Sequence, residues 1–204
     1  MKKHKHPYRI RKLFVRLNPR RIFRSGRDHY PGTLREMFEN STDRYAKRTL
    51  SQYVDGGCKY SYSAFRDVCD RESMRLSRFG VSAGDKVAIL AQNMPNWTVA
   101  FFTATAFGRV AIPILPDSSE NEVTNILIHS ESKVIYISRR MLPKLSEECM
   151  KRLTLVIDIE SFEIIKKEKD AFQCDGWVRT PSPDELAAII YTSGTTGKAK
   201  GVMI

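Results

Sequence analysis

The interpretation of this 204-residue chain starts from one stretch, Tyr191-Thr192-Ser193-Gly194-Thr195-Thr196-Gly197-Lys198-Ala199-Lys200-Gly201. The stretch follows the apolar run Leu186–Ile190, which is typical of a buried strand. Its glycines let backbone N–H groups approach a ligand closely, its hydroxyls add neutral donors and its lysines add positive charge. The composition therefore predicts a loop that binds an anion, with a polyphosphate as the natural ligand.

A Walker-type P-loop is the first kind of phosphate site to test, and the spacing argues against it. That motif requires G-x-x-x-x-G-K-[ST] at the start of a helix. Only two residues separate Gly194 from Gly197, and Ala199 stands where a magnesium-binding hydroxyl would follow Lys198. Residues 201–204 are typical of a strand and not of a helix N-terminus. A hydroxyl-rich surface turn, the other interpretation, would not require this order of residues.

The stretch resembles the phosphate-binding signature of the acyl-adenylate-forming (AMP-binding) superfamily, which includes the acyl-CoA synthetases. The pattern Y-T-S-G-T-T-G-x-P-K-G-V is met at every fixed position from Tyr191 to Val202 except Ala199, where proline is usual. Because alanine does not fix φ as proline does, we expect a somewhat less rigid loop, while Lys200 keeps its place.

Two earlier segments extend the resemblance to about residues 33–204, as the N-terminal part of an acyl-CoA synthetase resembling long-chain fatty-acid CoA ligases. Residues 93–97 are similar to the family's N-x-P-E-W, with Asn96 in place of the acid. Residues 107–113 are similar to the turn G-A-V-x-V-P, with Arg109 as a departure.

The resemblance implies a two-step ligase that activates a carboxylic acid, with a long-chain fatty acid as the expected substrate. The carboxylate attacks the α-phosphorus of ATP bound to Mg2+, which gives an acyl-adenylate and pyrophosphate, and the thiol of coenzyme A then displaces AMP. Preorganised donors stabilise the charge that grows on the departing pyrophosphate more than they stabilise the ground state. The residues implied to bind the phosphates of ATP are Thr192, Ser193, Gly194, Thr195, Thr196, Gly197 and Lys200.

The remaining roles of the family are not assigned to residues of this sequence. Lys198 occupies the variable position of the signature and is expected to be a solvated charge. The residues that hold adenine, ribose and magnesium, the acyl pocket and the catalytic lysine lie downstream of the signature in this family. We therefore predict no catalytic and no metal-binding residue here, and we expect a fragment of a longer ligase that is inactive by itself.

The net charge of +11 is confined to one end of the chain. Residues 1–27 hold 11 Lys and Arg and no Asp or Glu, which leaves 23 basic and 23 acidic side chains in the remainder. Since the body is neutral, we expect no nucleic-acid partner. The sequence predicts two parts: a basic N-terminal arm over residues 1–27, and the N-terminal part of an AMP-binding domain over residues 28–204, truncated after the phosphate-binding loop.

In a helix, the arm would have one apolar face surrounded by basic residues. The apolar positions with helical spacing are Ile10, Leu13, Phe14 and Leu17. Such a helix can lie on an anionic membrane surface, where each basic residue contributes about 1 kcal/mol. A solvated, disordered tail is an alternative interpretation, and the Arg-rich, acid-free composition also suits a mitochondrial presequence, although serine is scarce.

Cysteine usage and hydropathy indicate the compartment. The four cysteines, at positions 58, 69, 149 and 174, show neither C-x-x-C spacing nor a neighbouring histidine cluster, so no zinc site or redox pair is indicated. No window reaches the roughly 18 apolar residues that span a bilayer. We expect reduced thiols in a cytoplasmic protein, peripheral on a membrane if the arm binds one.

Alternating periodicities predict an α/β fold whose sheet is mostly parallel. We predict helices that start at the caps Thr33 and Ser63, and further helices over residues 96–110, 118–130 and 140–153. We predict strands over residues 50–54, 59–63, 86–91, 111–115, 134–137 and 155–159, and a surface connection over residues 160–184.

Three classes of function are compatible with these observations. The first is the fragment of an ATP-dependent acyl-CoA ligase, which the order of the signature favours. The second is a non-catalytic nucleotide-binding or membrane-docking remnant of the same family. The third is an unrelated NTPase, which the spacing of the loop glycines disfavours.

Overall fold

The computed structural model describes residues 32–171, 179–192 and 200–204. Its helices are α1 (Leu34–Arg44), α2 (Tyr62–Arg78), α3 (Pro95–Thr105), α4 (Glu120–Ser130) and α5 (Glu147–Arg152), with a 3-10 helix over Arg139–Lys144. Its strands are β1 (Thr49–Gln52), β2 (Lys59–Ser61), β3 (Lys86–Leu90), β4 (Val110–Ile114), β5 (Val134–Ile137), β6 (Leu155–Asp158), β7 (Ile164–Lys167), β8 (Ile189–Thr192) and β9 (Lys200–Met203). The predicted arm, residues 1–27, lies outside the described residues, so its boundary stays a prediction.

The central sheet has the strand order β4-β3-β5-β6-β7. Its first four strands run parallel, with Val87 of β3 opposite Ala111 of β4 on one side and Val134 of β5 on the other. β7 is antiparallel to β6. Helices connect the parallel strands, as parallel pairing requires. The predicted α/β class with a mostly parallel sheet is thus confirmed.

Both faces of this sheet are covered, which explains why its strands are apolar at consecutive positions. Val87 and Ile89 of β3 join a buried cluster that includes residues of α2 and α3. Ala88 and Leu90, which point the opposite way, join a cluster that includes residues of α4 and α5. All four side chains are fully buried. The core therefore consists of two layers with the sheet between them.

An aromatic cluster joins the first three helices on one side of the sheet. The ring of Phe38 in α1 lies 5.6 Å from that of Phe65 in α2 and 5.9 Å from that of Phe102 in α3. The predicted cap of α1 is confirmed, because the Thr33 hydroxyl accepts a hydrogen bond from the Glu36 backbone at 3.0 Å. Local capping and aromatic packing thus place α1 against the domain.

Two helix boundaries predicted from the sequence are wrong. The second helix is capped by Ser61, which accepts from the Ala64 backbone at 3.1 Å, and not by Ser63. The predicted helix over residues 140–153 is divided into a 3-10 turn that contains Pro143 and the short helix α5. Proline lacks an N–H and therefore removes a helical hydrogen bond. Ser146 caps the next helix, α5, by accepting a hydrogen bond from the Cys149 backbone at 3.3 Å.

The remaining differences concern where apolar segments change from helix to strand. α3 ends at Thr105, because Gly108 takes a φ of +77° and β4 begins at Val110.

The predicted surface connection over residues 160–184 contains the edge strand β7. Its charged residues Lys166 and Lys167 interrupt the apolar pattern that would have predicted a strand. Charged edge strands discourage pairing with other chains, so their sequences do not look like those of central strands.

Candidate functional site

An antiparallel hairpin frames the predicted phosphate-binding loop. Thr192, the last residue of β8, lies opposite Lys200, the first residue of β9. Both are exposed, so hydroxyl and ammonium are available at the point where the two strands separate. The other predicted phosphate-binding residues, Ser193, Gly194, Thr195, Thr196 and Gly197, lie outside the described residues, and their role stays a prediction.

The hairpin adjoins the outer edge of the parallel sheet. Ala188, just before β8, forms a parallel bridge with Ala111 of β4, and the Ala111 backbone donates to the Ala187 carbonyl at 2.9 Å. β8 therefore runs in the direction of β4, and its last residue, Thr192, lies toward the carboxyl end of the sheet. Ligands of open α/β sheets bind at that end. The position of the hairpin thus favours a binding loop over a passive surface turn.

Tyr191 anchors this hairpin in the core. It is 8% exposed and belongs to the buried cluster that includes Ile126 and Leu127 of α4. Its hydroxyl lies 2.7 Å from Nδ1 of His129, in the last turn of α4, and the two rings meet edge to face at 5.7 Å. Burial raises the pKa of Tyr191 above its usual value, so the phenol stays protonated at neutral pH.

Gly201 lies opposite Tyr191 in the hairpin register, and the space there excludes a side chain. A Cβ at position 201 would lie 2.7 Å from Cγ2 of Ile189 and 3.4 Å from Cζ of Tyr191. Since real Cβ atoms do not approach neighbours so closely, the glycine of the signature is required by packing as well as by any ligand.

The two departures from the family's pattern that lie outside the signature have structural partners. Asn96 accepts a hydrogen bond from the Tyr60 hydroxyl at 2.7 Å and donates to the Ile159 carbonyl at 2.7 Å. Arg109 is 3% exposed and donates to the Val81 carbonyl at 3.0 Å and to the Ser73 hydroxyl at 2.9 Å. Both residues therefore connect elements that lie far apart in the chain.

Neither a metal centre nor a membrane span is found in the described residues. They contain no group of three or more His, Cys, Asp or Glu side chains arranged to hold a metal ion. None of the helices in this part of the chain is long and apolar enough to cross a membrane.

Two of the residues predicted to bind phosphate lie among the described residues, and their role stays a prediction. Thr192 and Lys200 were predicted from the signature, and the structure brings them together. His129 was missed, because a single histidine in an amphipathic helix carries no signal until packing reveals its partner. Gly201 could have been found, since it is a fixed position of the signature.

The family model for AMP-binding enzymes matches residues 38–204 of this chain. The crotonobetaine/carnitine–CoA ligase of Escherichia coli O1:K1 / APEC is 29% identical over 187 residues, which cover 84% of this chain and 36% of that protein. The chain spans little more than a third of the length of the curated relatives it matches, 36% to 37% for the first of them.

Solved structures share the fold. A fatty acyl-adenylate ligase from L. pneumophila, crystallised with acyl adenylate and pyrophosphate, matches with a TM-score of 0.67 at 20% identity, covering 85% of this chain and 30% of that one. The N-terminal domain of FACL13 from Mycobacterium tuberculosis, in an inhibitor-bound crystal structure, matches with a TM-score of 0.65 at 25% identity, covering 84% of this chain and 44% of that one.

Proposed function

Since this chain belongs to the AMP-binding enzyme family, we propose that it supplies the phosphate-binding part of an ATP-dependent acyl-CoA ligase. One observation carries the proposal: Thr192 and Lys200 face each other, exposed, where β8 and β9 separate around the signature loop. A hydroxyl and an ammonium group at such a position offer one neutral and one charged donor to a polyphosphate.

The proposed reaction joins a carboxylic acid to a thiol in two steps. The carboxylate attacks the α-phosphorus of ATP, the bond to the β-phosphate oxygen breaks, and pyrophosphate leaves. The sulfur of coenzyme A then attacks the acyl carbon and AMP leaves. Lys200 and Thr192 stabilise the negative charge that accumulates on pyrophosphate, and they do so without reorganisation if the hairpin holds them in place. Mg2+, bound to the phosphates of ATP, would supply further charge neutralisation.

Titration of this chain with ATP and with inorganic pyrophosphate tests the loop assignment. Lys200→Ala should weaken pyrophosphate binding by about tenfold or more, because a charge-assisted hydrogen bond is lost. Lys198→Ala is the matched control, since it removes the same charge two residues away at the variable position, and we expect it to change binding by less than about threefold. Equal losses in both variants, or no binding by the unaltered chain, would contradict the assignment.

The acid substrate is proposed to be a long-chain fatty acid. Support comes from the overall resemblance to fatty-acid CoA ligases and from the basic, amphipathic residues 1–27, which suit a membrane where such acids partition. Acid-dependent exchange of labelled pyrophosphate into ATP, measured in the protein that carries this chain, should be fastest with long-chain acids. Faster exchange with carnitine or with short acids would refute this choice, and nucleotide binding without exchange would favour a non-catalytic member of the family.

The arm is proposed to contact an anionic membrane surface. Sedimentation with vesicles should show binding that grows with the fraction of anionic lipid and falls with salt, because the attraction is screened. Deletion of residues 1–27 should abolish this binding without altering the affinity for pyrophosphate. Equal binding to neutral vesicles would contradict an electrostatic contact.

A further inference from the structure

Among the described residues of β8 and β9, Tyr191 is the one that is buried. The other side chains of the hairpin are exposed or half-buried, including Thr192 and Lys200. Half-buried Ile189 also packs against the core and a backbone bridge joins Ala188 to β4, but Tyr191 is the buried contact directly next to Thr192. The orientation of Thr192 therefore depends on where the neighbouring tyrosine ring is held.

His129 contacts this ring in two ways. Its Nδ1 lies 2.7 Å from the tyrosine hydroxyl, so one of the two atoms donates to the other, according to the imidazole tautomer. The rings also meet edge to face, with an interplanar angle of 89°. His129 is exposed, in the last turn of α4, whereas Ile126 and Leu127 of the same helix are buried. Changes at position 129 therefore leave the core packing of α4 in place.

The hairpin also contacts the ring. Gly201 lies across from Tyr191 in the register, and a Cβ there would lie 3.4 Å from the ring carbon Cζ. The ring thus contacts both the β9 backbone and the end of α4, and the imidazole is the group that hydrogen-bonds its hydroxyl.

We propose that His129 is a positioning residue for the phosphate-binding loop, acting on Thr192 through its hydrogen bond to Tyr191. This inference rests on the proposed function, because it assigns His129 to the same site. His129 touches no phosphate. It holds the strand that ends at Thr192, so that this donor need not be positioned when the polyphosphate arrives, and a site that must first be ordered binds more weakly.

Three substitutions separate the hydrogen bond from packing. Tyr191→Phe removes the hydroxyl and keeps the ring. His129→Phe keeps a ring for the edge-to-face contact and removes Nδ1. His129→Asn places an amide atom near the position of Nδ1 and can restore a hydrogen bond. The matched control is Tyr60→Phe, which removes another tyrosine hydroxyl, hydrogen-bonded to Asn96 at 2.7 Å between β2 and α3.

The measurements are the dissociation constants for inorganic pyrophosphate and ATP, with the melting temperature of each variant. We expect Tyr191→Phe and His129→Phe to weaken binding by about five- to tenfold, as the loss of one hydrogen bond allows. The double variant should bind no more weakly than either single variant, because both lose the same bond. His129→Asn should recover most of the affinity. Tyr60→Phe should lower the melting temperature without changing the affinity for pyrophosphate or ATP.

The outcomes distinguish this inference from the proposed function. If the unaltered chain binds pyrophosphate and the His129 and Tyr191 variants bind equally well, then the histidine is merely structural and the inference fails alone. Additive losses in the double variant would also overturn it, since the two residues would then act separately. If the unaltered chain binds neither pyrophosphate nor ATP, the proposed function fails, and the positioning role fails with it.

Discussion

Gly201 shows how one residue can be fixed by sterics at a binding loop. A Cβ at this position would lie 2.7 Å from Cγ2 of Ile189, a β-branched side chain that cannot rotate freely away. The signature glycine thus allows the two strands of the hairpin to pack against Tyr191.

We expect Gly201→Ala to lower the free energy of unfolding by about 1–3 kcal/mol, because inserted volume forces neighbouring side chains off their preferred rotamers. Urea denaturation measures the change. Gly57→Ala is the matched control: its Cβ would lie 3.3 Å from Oδ1 of Asp55, in an exposed turn that can yield. A Gly201→Ala variant as stable as Gly57→Ala would contradict the steric argument.

Glu72 is a buried carboxyl group whose ionisation is coupled to folding. It is 1% exposed, accepts from the Tyr136 hydroxyl at 3.3 Å and lies 3.1 Å from the Arg75 guanidinium. Burial raises its pKa above the usual 4.5, although Arg75 and Tyr136 oppose the shift. The folded state therefore binds this proton more tightly than the unfolded state does.

The free energy of unfolding should therefore fall as the pH rises from about 4.5 to the folded pKa of Glu72. In this range the folded state still binds a proton that the unfolded state has released. Glu72→Gln lacks this titration. We expect wild type to lose stability relative to Glu72→Gln between about pH 4 and pH 7.5, as measured by urea denaturation at both values. Glu147→Gln, at an exposed glutamate, controls for the loss of charge. A difference that does not vary with pH would contradict the prediction.

At the scale of elements, Arg109 connects the start of β4 to the carboxyl end of α2. Its guanidinium donates to the Ser73 carbonyl at 3.2 Å and the Val81 carbonyl at 3.0 Å, both near that end. Hydrogen bonds from a buried charged donor are stronger than those between neutral groups. The departure from the family's pattern at this position therefore ties the start of β4 to α2 and to the residues that follow it.

Arg109→Met should reduce the free energy of unfolding by about 3 kcal/mol, because charge-assisted hydrogen bonds are lost, including the two that the guanidinium donates to the Val81 carbonyl. Arg140→Met, at an exposed arginine of the 3-10 helix, is the control and should cost little. Thermal and urea unfolding measure both. Equal stability of the two variants would show that the buried guanidinium is dispensable.

At the scale of the whole molecule, one face of the β8–β9 hairpin carries an exposed apolar pair. Ile190 and Val202 lie opposite each other in register and are 41% and 52% exposed. Exposed apolar side chains on an edge strand favour association between chains.

We expect the double variant Ile190→Thr/Val202→Thr to self-associate less than wild type, because threonine keeps the β-branched shape and adds a hydroxyl. Light scattering over a range of protein concentrations measures this. Val54→Thr is the control, at a fully exposed valine in the turn after β1. If both variants scatter as wild type does, the hairpin face is not the cause of association.

The sequence by itself determined the fold class and the parallel strands, and it predicts the place of a phosphate-binding loop. Consecutive apolar residues in β3, β5 and β6 can be satisfied only in a sheet covered on both faces, and the order of residues from Tyr191 to Val202 is specific. These features depend on neighbours in the chain, so they can be read locally.

Only the tertiary structure decided the partners. The contact between His129 and Tyr191 spans 62 residues, and that between Arg109 and Ser73 spans 36. The strand β7 likewise depends on its pairing with β6. The break between the 3-10 helix and α5 depends on a competing cap at Ser146. These contacts and boundaries depend on which side chains the packed elements bring together. The periodicity of residues along the chain does not contain that information.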